Sequence, residues 1–119
     1  MNPSAAPLYT AAHAVAVFVL RSRFCETRVG AEAADAALRL LFAVSVALTF
    51  PGERAAALRD ADRACLALRV SARVGFDLGN LSAGALDQLL RELDGIGRML
   101  GGWQRQRRRR GGLDGTPTV

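Results

Sequence analysis

The chain has 119 residues, half of them apolar and 23% charged, with a formal net charge of +5 in which all sixteen basic side chains are arginine. That length supports one hydrophobic core and is too short for two. Abundant alanine and leucine with few β-branched residues favour an all-α fold, and the two cysteines, Cys25 and Cys65, stand too far apart in sequence for a metal-ligand spacing or a disulfide framework, reading instead as buried thiols in a reducing cytoplasm.

Residues 1–7, containing Pro3 and Pro7, read as a lead-in. The first helix is expected from Leu8 to about Cys25, with Leu8, Ala12, Val15, Val19 and Ser22 on one stripe. Its middle, VAVFVL, has strand propensity too, but no second strand is available to pair with it. His13, one turn from Tyr9, has no metal-ligand constellation around it. Glu26 to Gly30 reads as a connection with Gly30 as a helix breaker.

The second helix is expected over Ala31 to Thr49. Its latter half, continuing into Phe50 as LLFAVSVALTF, is apolar nearly all round, which requires cover on more than one side or a subunit contact. Phe50-Pro51-Gly52 makes a turn, because proline disfavours helix in the residue before it. The apolar stretches are short against the roughly 20 residues that span a membrane, and no secretory signal is evident.

The third helix is expected over Glu53 to Phe76 with a seam of Leu58, Ala61, Cys65, Leu68, Ala72 and Gly75. At about 100° per residue, Arg59, Arg63, Arg69 and Arg73 share an arc of about 120° roughly opposite that seam. Arginines four residues apart repel, so an anionic partner or the interleaved Asp62 should relieve them. Asp77-Leu78-Gly79-Asn80 ends the helix, with Gly79 as a left-handed C-terminal residue.

Ser82 is the expected N-cap of the fourth helix, whose seam is Leu86, Leu89, Leu93, Ile96, Leu100 and Trp103. Asp87 with Arg91, and Asp94 with Arg98, are acid-before-base pairs on its exposed face. Gly95, Gly97, Gly101 and Gly102 together oppose helix by roughly 4 kcal/mol, so the end must be docked, and the glycines read as close-approach or helix-ending sites. The pattern predicts an up-down antiparallel four-helix bundle over 1–104 and an arginine-rich flexible tail over 105–119. That tail, with Arg105, Arg107, Arg108, Arg109 and Arg110 against Asp114, holds most of the net charge.

Catalytic signatures are missing: there is no Glu-x-x-His pair, no Cys/His cluster and one histidine without a nucleophile motif. The tail and the arginines of the third helix are the candidate binding features, with a solubilising tail and a solvated face as their plain alternatives. No aromatic residue interleaves with either in sequence, which argues for nucleic-acid backbone contact without base stacking.

The run Gly95 to Trp103, GIGRMLGGW, resembles the C-terminal signature of the accessory variability determinant proteins of diversity-generating retroelements, whose final helix ends in a similar Gly-Arg-hydrophobic-Leu-Gly-Gly/Ser-Trp run. The segment Asp62 to Ser82, with Leu68-Arg69, Arg73, the glycine-containing break and Leu81-Ser82, is similar to that family's third helix and loop. The resemblance covers roughly the second half of the chain. It implies a homopentameric ring and a non-enzymatic partner of a reverse transcriptase that binds template RNA and cDNA, with no cofactor, metal or small-molecule substrate. Carried over by position, Arg69 and Arg73 match basic residues of the family's third helix, with Arg59 and Arg63 extending the face by geometry, and Arg98 and Trp103 match the final signature. Gly97, Gly101 and Trp103 are the expected structural residues. Two other readings stay open: a four-helix bundle of the kind encoded in ribosomal RNA intervening sequences, and a protein-interaction bundle whose arginines dock on acidic surfaces.

Overall fold

The computed structural model describes residues 6–113, with side chains described up to residue 106. It is all-helical, with four α-helices: α1 (Pro7–Arg21), α2 (Arg28–Thr49), α3 (Arg54–Asp77) and α4 (Ala83–Leu113). The VAVFVL stretch is helical within α1.

Local chemistry sets each boundary. The first helix stops at Arg21 rather than Cys25, because Ser22 is extended and its Oγ accepts a hydrogen bond from the Phe24 amide at 3.1 Å, starting a 3-10 turn over Arg23–Glu26. Gly30 does not break a helix. It lies in the first turn of α2, where its amide donates to Oγ1 of the N-cap Thr27 at 3.0 Å, so the helix begins three residues before the expected Ala31. Phe50 is extended before Pro51, as expected. At the end of α3, Gly79 has φ of 79° while the Asn80 amide donates to the Gly75 carbonyl at 2.8 Å and the Gly79 amide to Phe76 at 3.0 Å, a Schellman motif. Ser82 caps α4 by accepting from the Ala85 amide at 3.1 Å.

Each helix packs against its chain neighbours, and α1 against α4 closes the set. Arg69 on α3 meets Asp94 on α4, and Asp62 on α3 meets Gln104 on α4. Position thus falls along one helix as it rises along the other, and α3 and α4 run antiparallel. The core is built from the seams: Leu8, Val15 and Val19 of α1, Leu40 and Val44 of α2, Leu58 and Leu68 of α3, and Leu89, Leu93, Ile96 and Leu100 of α4 are fully buried. Such burial is worth roughly 1.5–3 kcal/mol for each large side chain. Cys65 is buried and Cys25 half-buried, and both are free thiols.

One close approach holds the end where α2 starts and α3 stops. Phe24, 3% exposed, wedges its ring against Gly75 and its carbonyl against Gly30, where a Cβ on either glycine would overlap it. No helix among the described residues is long and apolar enough to cross a membrane.

Candidate nucleic-acid interface

The outer face of α3 carries Arg59, Arg63 and Arg73 in exposed positions. Arg69 does not complete the set. It stands at the edge of the arc nearest α4, and its Nη2 lies 2.9 Å from Asp94 Oδ1, with the two side chains 36% and 56% exposed. The expected Asp94–Arg98 pair is therefore replaced by a bridge between helices, while Asp87 and Arg91 do pair along α4 at 3.0 Å. Asp62, a possible relief for the arginine repulsion, is also turned towards α4, where its Oδ2 accepts from Gln104 Nε2 at 2.8 Å. Arg69–Asp94 and Arg91–Asp87 are the two ion pairs among the described residues, so Arg59, Arg63 and Arg73 form none there.

The face is also amphipathic. Leu66 and Val70, 61% and 54% exposed, lie between the arginines. The helical spacing that gathers the arginines gathers these two as well, so the sequence carries that signal. A neighbouring surface groove of about 560 Å³ runs along the junction of α2 and α3, lined by Arg39, Phe42, Glu53, Asp60 and Arg63 among others. Phe42 and Arg39 were not candidates from sequence, because their position beside Arg63 depends on how α2 packs along α3.

The GIGRMLGGW run is helical throughout. Its glycines neither end α4 nor admit a neighbouring backbone. A Cβ on Gly97 would meet nothing closer than Arg69 Nη2 at 4.0 Å, and one on Gly101 would meet only the end of a long side chain, Arg105 Nη1 at 3.3 Å. The close-approach role expected of them belongs instead to Gly30 and Gly75. Trp103 is half-buried and packs against the core. Arg54, which the sequence did not single out, covers its ring. Arg98 and Arg105 are exposed on α4.

The helix α4 runs on past residue 104 to Leu113. Arg107, Arg108, Arg109 and Arg110 thus sit on a helical backbone, and their side chains lie outside the described residues, as does the remainder of the expected tail, 114–119. No cluster of three or more His, Cys, Asp or Glu side chains suited to a metal occurs among the described residues. Burial pushes the Cys65 thiol up to about 11, with the Asp62 carboxylate adding to the rise and Arg69 opposing it. That thiol is a packing group rather than a nucleophile. No protein-family model, curated protein or solved structure matches this chain.

Proposed function

We propose that this chain is a non-enzymatic accessory protein of a diversity-generating retroelement, acting in the cytoplasm as a homopentameric ring that binds the reverse transcriptase together with template RNA and cDNA. The observation that carries the reading is the uncommitted arginine face of α3. Arg59 and Arg63 stand one turn apart with Arg73 further along, exposed and without an ion pair among the described residues. Like charges at that spacing are mutually destabilising until an anion joins them. Phosphates meet that need without sequence preference, and each neutralised phosphate contributes about 0.7 to 0.9 to the salt slope.

Exposed aliphatic groups support the protein partners. Leu66 and Val70 between the arginines, and Leu38 on α2, are apolar surface that a polymerase or a second copy of the chain would cover. The resemblance of GIGRMLGGW to the accessory-protein signature supports the same assignment.

Charge reversal tests it. Arg59→Glu, Arg63→Glu and Arg73→Glu together should abolish RNA binding and polymerase association while the helical circular dichroism and melting temperature stay near those of the parent. Intact binding in that folded variant would remove the α3 face from the account.

A further inference from the structure

We infer that the groove between α2 and α3 holds one unpaired nucleobase of a single strand, stacked on Phe42, with Arg39 and Arg63 contacting the flanking phosphates. The inference rests on the nucleic-acid part of the proposed function and adds to it a site and a strand preference. Phe42 is 71% exposed, the most exposed large apolar side chain among the described residues, and it lines the groove with both arginines. An aromatic face flanked by cations is the arrangement that binds single strands, because every base has a π-face and every linkage a charge.

The size and chemistry of the groove agree. Its volume of about 560 Å³ falls within the range of small-ligand sites. Glu53 and Asp60 line it too, and neither forms an ion pair with Arg39 or Arg63 among the described residues. All four charged groups are therefore free to meet a ligand: the guanidiniums donate to phosphate oxygens, and the carboxylates accept from the exocyclic amine of a base. Arg63 belongs to both the groove and the α3 face, so a strand running along Arg73 and Arg59 can drop one base into the groove beside it. The aromatic group comes from α2, so the spacing of residues along α3 does not show it.

The test compares a labelled adenine 12-mer with an abasic 12-mer of the same charge, by fluorescence anisotropy on the full chain, with light scattering on each protein. The parent should bind the adenine strand about tenfold more tightly than the abasic one. Phe42→Leu, which keeps an apolar side chain at an exposed position, should bring the two within about twofold and leave abasic affinity and molecular mass unchanged. Equal binding of both strands by the parent would overturn the stacking site while leaving nucleic-acid binding in place. A change of mass in Phe42→Leu would overturn it in favour of a contact between copies. Failure of the parent to bind either strand would overturn the proposed nucleic-acid function and this site with it.

Discussion

The Arg54 guanidinium lies over the Trp103 ring, 5.2 Å from its centroid, while its Nε donates to the Ala47 carbonyl at 2.7 Å. One side chain at the start of α3 thus ties the last turn of α2 to the far part of α4. The carbonyl is one of those a helix C-terminus leaves without an internal partner, and the ring contact is a cation–π interaction. Arg54→Ala should cost about 2 kcal/mol in urea unfolding, combining a charged hydrogen bond with the loss of cover over Trp103. Arg54→Lys should recover only part of it, because a point charge cannot both lie flat on the indole and donate from Nε.

The Arg69–Asp94 bridge sets Arg69 apart from Arg59, Arg63 and Arg73, which form no ion pair among the described residues. Both partners are substantially exposed, so solvent screening leaves the pair worth about 0.5 kcal/mol or less. Asp94→Asn should hardly change stability, but it releases Arg69 to the arginine face and should raise RNA affinity about two- to threefold, with the salt slope steeper by up to about 0.9. Asp87→Asn removes an equal charge and frees only Arg91, so it should change affinity less. Equal gains in the two variants, measured by anisotropy at several salt concentrations, would reduce the effect to net charge.

Glycine substitutions separate sequence signature from steric need. Gly97→Ala meets open space apart from Arg69 Nη2 at 4.0 Å and should stabilise α4 by about 0.5–1 kcal/mol. Gly75→Ala drives a methyl into the buried Phe24 ring and should cost about 1–3 kcal/mol, and Gly30→Ala, which meets the Phe24 carbonyl of the backbone, should cost more. A loss of stability in Gly97→Ala would restore the packing role that the motif suggested.

Raising the pH should weaken the fold through Cys65. Its folded thiol loses the proton near 11, against 9.0 for the ordinary thiol. Between those values the unfolded chain binds fewer protons than the folded one, so stability is complete below about pH 9 and declines by about 2–3 kcal/mol as pH rises to 11. Urea midpoints taken at about pH 8 and about pH 10.5 should differ in the parent, and much less in Cys65→Ala.

The core was legible because helical periodicity is a local property. All six residues of the predicted α3 seam, Leu58, Ala61, Cys65, Leu68, Ala72 and Gly75, are buried, as are Leu86, Leu89, Leu93, Ile96 and Leu100 of α4. Caps at Ser82 and the turn at Gly79 were legible for the same reason. The fate of Arg69 was not, since spacing along α3 places it on an arc but Asp94 reaches it from another helix. Arg54, Arg39 and Phe42 were missed likewise, because their neighbours come from other helices. Gly30 was misread because a glycine in sequence does not distinguish a helix end from a place where Phe24 leaves no room for a Cβ.

The central claim is that an oligomer of this bundle joins a reverse transcriptase and RNA through the α3 face. Light scattering coupled to size exclusion, on the protein alone and then with a candidate retroelement reverse transcriptase and a structured RNA, at low and high salt, tests it most directly. The account predicts a pentamer that moves to a larger complex with the polymerase, and with RNA at low salt. A monomer or dimer whose mass neither partner changes would contradict it.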